Sequence, residues 1–150
     1  MFKFSKVQYL FTKEENERIL NCVRENEKDT SGEIRIFIES HCVYVDPMMR
    51  ALELFTQLGM YHTVNRNSVL IYIAYKDHDF ALFSDKNIFE KTEQQFWLIQ
   101  SRKMVKGFYE KKYAESLIHC INAVGAELKR YFPFVGENKN ELPDEIVFGK

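Results

Sequence analysis

Val69-Leu70-Ile71-Tyr72-Ile73-Ala74-Tyr75 is followed by Lys76-Asp77-His78-Asp79 and then by Phe80-Ala81-Leu82-Phe83. Seven apolar residues in a row, rich in β-branched and aromatic side chains, predict a strand buried on both faces. The short polar turn and the second apolar run predict a β-hairpin. A strand buried on both faces needs a helical layer on each side of its sheet. The flanking sequence supplies those helices.

Upstream, Ile34, Ile36 and Ile38 alternate with Arg35, Phe37 and Glu39, which is strand periodicity. A helix is predicted between this strand and the long apolar one. Asp46 caps it, Pro47 fills its first position, and Gly59 stops it. Its apolar stripe reads Met48, Ala51, Leu52, Phe55 and Leu58. A strand–helix–strand crossover joins parallel strands. Thr12 and Glu15 form a capping box for a first helix, which carries Ile19, Leu20 and Val23 and ends near Lys28. Two more helices are predicted, from about Thr92 to Gly107 and from about Tyr113 to Tyr131. The first carries Phe96, Trp97, Ile99 and Met104. The second carries Leu117, Ile118, Ile121, Val124 and Leu128, and Pro133 ends it. The order α-β-α-β-β-α-α predicts an α/β fold, a three-layer α/β/α sandwich on a mixed sheet.

The chain has 150 residues, 45% apolar and 15% aromatic, with a net charge of −1. That composition excludes a disordered chain. A pI of 6.4 speaks against a nucleic-acid binder driven by a basic surface. No apolar run reaches the roughly 18 residues of a membrane span. The N-terminus lacks the apolar region of a secretory signal. Cys22, Cys42 and Cys120 are odd in number and far apart, which argues against a disulfide framework and a zinc finger. A cytoplasmic protein with reduced thiols is expected. Cys22 and Cys120 fall on apolar helix faces and read as buried small hydrophobes. No nucleophile elbow, P-loop, dinucleotide fingerprint or zincin motif is present.

If the first two strands are parallel, Glu33 and Asn67 lie at one end of the sheet, and the hairpin returns to that end at Ser84-Asp85-Lys86-Asn87. Loops 29–33, 65–68 and 84–90 then converge. They bring Asp29, Glu33, Asn67, Asp85, Asn87 and Glu90 into one neighbourhood. Carboxylates, amide oxygens and backbone carbonyls in loops are the ligands of Ca²⁺ and Mg²⁺. The same residue types are also ordinary turn formers. Arg66 suits either a phosphate oxygen or an ion pair. Asp77-His78-Asp79 reads as a solvated hairpin turn at the opposite end of the sheet. The basic run from Arg102 to Lys112 reads as a solvated face, with an acidic partner or membrane surface as the alternative.

Thr30-Ser31-Gly32-Glu33-Ile34-Arg35, Arg66-Asn67-Ser68-Val69-Leu70, Ser84-Asp85-Lys86-Asn87-Ile88, Phe96-Trp97 and Tyr131-Phe132-Pro133 occur in that order. In order and spacing they resemble the TPM domain, over roughly residues 10–133. Its members include thylakoid proteins linked to photosystem II repair, a nematode receptor auxiliary protein and many bacterial proteins. Residues 1–133 are thus read as a TPM-type domain, and 134–150 as a polar acidic tail like that of short bacterial versions. The resemblance implies an α/β/α sandwich with a four-stranded sheet. It also implies a divalent-metal site, Ca or Mg, with Glu33, Asn67, Asp85, Asn87 and Glu90 as its candidate ligands. Three functions follow from it: a metal-binding regulatory module, a metal-dependent phosphatase acting on phosphomonoesters, or a metal-free domain that docks an unidentified protein partner. The family usually carries glycine where this chain has Ser68, Ser84 and Asn87, and glycine supplies positive φ. Gln94 and Gln95 stand where related bacterial sequences often carry acids.

Overall fold

The computed structural model describes residues 10–134 and 146–149 of the chain. Helix α1 (Lys13–Glu27) starts at the expected capping box: Glu15 N donates to Thr12 Oγ1 at 3.1 Å, and Thr12 N donates to the Glu15 carboxylate at 2.9 Å. Lys28 closes it. Strand β1 (Glu33–Glu39) follows, then α2 (Pro47–Gln57), β2 (Ser68–Ala74) and β3 (Asp79–Ser84). Asp46 caps α2 by accepting from Met48 N at 2.9 Å. Beyond α2, Gly59 adopts a left-handed φ of 66°, which glycine tolerates.

The sheet runs β3-β2-β1-β4, where β4 is Ile146–Phe148. β1 pairs in parallel with β2, Glu33 opposite Ser68, as the crossover requires. β2 and β3 form the expected antiparallel hairpin. β4 pairs in parallel with β1, Ile36 opposite Ile146. Part of the segment read as a polar tail thus belongs to the sheet; residues 135–145 lie outside the described residues.

Every residue of β1 and β2 is buried. Strand alternation sends Ile34, Ile36, Ile38, Val69, Ile71 and Ile73 to one face and Phe37, Leu70, Tyr72 and Ala74 to the other. The first face is covered by α1, α4 (Gln94–Tyr109) and α5 (Tyr113–Tyr131), the second by α2. The fold is a three-layer α/β/α sandwich on a mixed four-stranded sheet.

Four local expectations are corrected. The segment after β3 is not all loop: Lys86–Lys91 forms a short helix, α3, capped by Asp85. Helix α4 begins at Gln94 and runs on to Tyr109. The buried face of α2 is Ala51, Leu54 and Phe55, while Met48 and Leu52 are 40% and 47% exposed. In α4, Ile99 is exposed and Phe108 is buried instead. All three cysteines are free, and Cys120 is buried as expected; burial pushes its thiol up to about 12.

Candidate functional site: a loop cluster closed by an ion pair

The turn before β1, the turn before β2 and the start of α3 do meet. Ser31 Oγ accepts from Asn65 Nδ2 at 3.1 Å and from Asn67 Nδ2 at 3.0 Å. Asn87 N donates to Arg66 O at 3.1 Å, and Asn87 Nδ2 donates to Asn65 O at 2.8 Å. Asp85 N donates to Ser68 O at 2.9 Å. The parallel register places Glu33, buried at the head of β1, opposite Ser68.

Asp85 and Arg66 form the centre of the cluster. Asp85 is only 3% exposed. Its Oδ2 accepts from Arg66 Nε at 2.7 Å, and its Oδ1 accepts from Arg66 Nη2 at 2.8 Å. Oδ1 also takes the amide of Lys86 at 2.8 Å, which is the cap of α3. This is the bidentate fork geometry in which a guanidinium recognises a carboxylate. The pair holds Arg66 charged more firmly than usual, chiefly through its hydrogen bond to Asp85. Arg66 itself has a left-handed φ of 48°, so the chain turns sharply there.

The serines in place of family glycines cost little. Neither Ser68 nor Ser84 has a positive φ; each sits at the end of a strand. Ser68 Oγ donates to Met60 O at 2.6 Å. The left-handed turn falls on Arg66, two residues before Ser68.

The predicted ligands divide. Asn67, Asp85 and Asn87 join one hydrogen-bonded cluster, with Glu33 at the adjoining strand end. Glu90 is exposed on α3. Asp29 is exposed and stands 4.0 Å from Lys129 Nζ. Fully buried Asn67 keeps one oxygen, Oδ1, with no hydrogen-bond partner among the described residues. Against a resident divalent ion stands the chemistry of the rest. Both Asp85 oxygens are held by a cation already, and among the described residues no three His, Cys, Asp or Glu side chains are grouped to share an ion. As they stand, these residues do not fit a resident ion.

A second polar cluster, which sequence reasoning missed, lies at the other end of the sheet. Glu39 ends β1 and is 6% exposed. Its carboxylate accepts from the hydroxyl of fully buried Tyr72 and from Arg50, Nε at 2.8 Å and Nη2 at 3.1 Å. Arg50 Nη1 reaches Glu53 at 2.6 Å, and Tyr44 donates its hydroxyl to Glu53. Burial, then the hydrogen bond to Glu39, pushes the Tyr72 phenol far above its ordinary value. Nearby, Asp77 accepts from the Cys42 amide at 2.7 Å, and its Oδ1 stands 2.7 Å from His41 Nδ1. The turn read as simply solvated therefore ties loop 40–46 to the hairpin.

The Tyr44 hydrogen bond and Arg50 hold Glu53 below the usual carboxylate range, and His41 and the Cys42 amide do the same for Asp77. Folded values below unfolded ones stabilise the protein above the unfolded pKa, and that stability is lost as pH falls through the folded pKa. The midpoint of thermal unfolding is thus expected to hold from neutrality to about pH 5 and to fall below about pH 4. Circular-dichroism melts of wild type and of a Glu53→Gln, Asp77→Asn double variant check this. The variant should lose less on acidification, and superimposable acid limbs would refute the assignment.

The chain is thus an open α/β sandwich whose loop cluster is closed by the Arg66–Asp85 fork. The chain matches the family model of the TPM domain over residues 6–127, and it belongs to that family. It is similar over 97% of its length to the whole of the BA42 protein from the psychrophilic bacterium Bizionia argentinensis, solved by NMR, with 34% identity and a TM-score of 0.86. The N-terminal domain of cg2496 from Corynebacterium glutamicum shares the fold at 11% identity, with a TM-score of 0.62, over 85% of this chain and 84% of that one. No curated protein matches the chain.

Proposed function

We propose that this chain is a non-catalytic binding module whose loop cluster is locked by the Arg66–Asp85 ion pair. The observation that carries the reading is the double engagement of Asp85 by Arg66, at 2.7 and 2.8 Å, with Lys86 N as a third donor. The carboxylate that the resemblance assigned to a metal already has its counter-charge. The guanidinium that suited a phosphate oxygen is spent on the same pair. Meanwhile Met48, Phe89 and Leu98 stand about half exposed, which suits a surface that meets a partner.

A second reading is favoured by one observation. Among the described residues the buried Oδ1 of Asn67 has no hydrogen-bond partner, which leaves a hard ligand in the loop cluster that holds Asp85. On that reading Glu33, Asn67, Asp85, Asn87 and Glu90 take Ca²⁺ or Mg²⁺, and metal-dependent phosphomonoester hydrolysis is its extension.

A calcium and magnesium titration followed by amide NMR, on wild type and Asp85→Asn, decides between them. The ion-pair reading expects no saturable shift in residues 29–33, 65–68 and 84–87 of wild type up to millimolar ion. It also expects no hydrolysis of p-nitrophenyl phosphate above buffer. Saturable shifts that Asp85→Asn abolishes would overturn it in favour of the cation site. Hydrolysis lost on chelation would overturn it in favour of the phosphatase.

A further inference from the structure

Among the described residues strand β3 is an edge of the sheet, paired with β2 alone. Its outer row of backbone N–H and C=O groups is a template for another chain. Natural edges are blunted by charge, proline or a bulge. Between Phe80 and Phe83 this edge carries neither charge nor proline, and its register with β2 is unbroken.

A cavity of about 370 Å³ opens at this edge. Leu82 of β3 lines it together with Met48 of α2 and Phe89, Trp97 and Leu98 of α3 and α4. Helices α2 and α4 lie on opposite faces of the sheet, so a cavity that touches both wraps round the free edge of β3. Gln94, Gln95 and Ser101 add polar but uncharged groups, and among the described residues no ionisable side chain lines it. Trp97 is 7% exposed, and its indole N–H has no acceptor among the described residues. A buried donor without a partner costs stability until an acceptor arrives.

We propose that β3 and this groove dock an extended, uncharged segment of a partner protein, which adds a strand to the sheet. The strand is set about 5 Å from β3 by backbone hydrogen bonds. Its alternate side chains are apolar and enter the cavity between Met48 and Leu98. The uncharged lining selects against acidic or basic segments, because a charge buried there has no counter-ion. The site belongs to the binding module proposed above and rests on that reading, but it is separate from the loop cluster. A peptide test and a cation titration therefore fail independently.

The test is selection of short random peptides displayed on phage, with the intact chain immobilised. The enriched sequence is then synthesised and titrated into labelled protein. The expected consensus alternates apolar residues and lacks charge and proline. Its binding should shift the amides of residues 79–84 and slow their hydrogen exchange. N-methylation of alternate peptide amides along one edge should weaken binding about tenfold or more, and methylation along the other edge should not. Leu98→Asp, at a half-exposed wall position, should weaken binding by about tenfold while the fold persists. Failure to enrich any peptide, or binding indifferent to N-methylation, would overturn the proposal. So would a concentration-dependent dimer, seen by sedimentation of the chain alone with its β3 amides shifting, which would give the edge to a second copy.

Discussion

Glu39→Ala is expected to destabilise the protein by about 3–5 kcal/mol, the cost of removing one partner from a buried, hydrogen-bonded ion pair. Glu39 is 6% exposed and unites three elements: its own strand β1, Tyr72 of β2 and Arg50 of α2. Truncation strands two groups at once. The Tyr72 hydroxyl, fully buried, loses its acceptor. Among the described residues Arg50 then keeps only Glu53 as an ion-pair partner, and its guanidinium still lies 5.7 Å over the Phe37 ring. Graded substitutions separate these costs. Tyr72→Phe removes one donor while the Glu39–Arg50 fork stays intact, so about 1 kcal/mol is expected. A matched apolar pair, Glu39→Leu with Arg50→Met, removes both charges and should recover most of the loss, since buried pairs often replace at little net cost. Urea unfolding midpoints at unchanged slope measure all three. Glu39→Ala within 1 kcal/mol of wild type would refute the network's structural role.

What the chain discloses of this architecture depends on how many residues carry each signal. The run from Val69 to Ala74 fills two faces of a central strand with apolar side chains, and little besides a buried strand accommodates it. The caps of α1 and α2 are local chemistry, and both were legible to the residue. Short elements were not. Helix α3 spans six residues and buries only Ile88, too few to show a period, although Asp85 as a capping residue was a usable sign. β4 has three residues inside a polar stretch. In α2, apolar residues occupy more than half the circumference, so the row Met48-Leu52 was as plausible a core face as Ala51-Leu54-Phe55. The sheet chose the latter.

The candidate site shows the same division. Convergence of the loops followed from parallel strands and was readable. The Arg66–Asp85 fork was not, because it joins residues 19 apart through a left-handed turn on a non-glycine residue. The Glu39 cluster escaped for a similar reason. Its members come from β1, β2, α2 and the loop before α2, and only the spacing of Arg50 and Glu53 is local. A charged residue closing a buried strand, with a tyrosine in the middle of the neighbouring strand, was the sign available.

Gly125→Ala is expected to cost about 2 kcal/mol net, although alanine in mid-helix gains about 1 kcal/mol over glycine. The reason is the seam between α1 and α5. A Cβ on Gly125 falls 2.0 Å from Asn26 Oδ1, 2.5 Å from its Cγ and 2.8 Å from its Cβ. The last distance matters most, because a Cβ does not move when a side chain changes rotamer. Asn26 is also pinned: its Nδ2 donates to Asn122 Oδ1 at 2.8 Å and to Cys22 O at 2.9 Å, and the residue is 6% exposed. Relief therefore requires the helices to separate or the buried amide to give up its partners, and each route costs about 1–3 kcal/mol. A double-mutant cycle isolates this contact. With Asn26→Gly in place the overlap is gone, its Cβ included, and Gly125→Ala should then turn neutral or stabilising through helix propensity alone. Denaturant midpoints at constant slope give the four corners of the cycle. A single Gly125→Ala variant as stable as wild type would show that the seam yields freely, and that Gly125 is not set by the approach of Asn26.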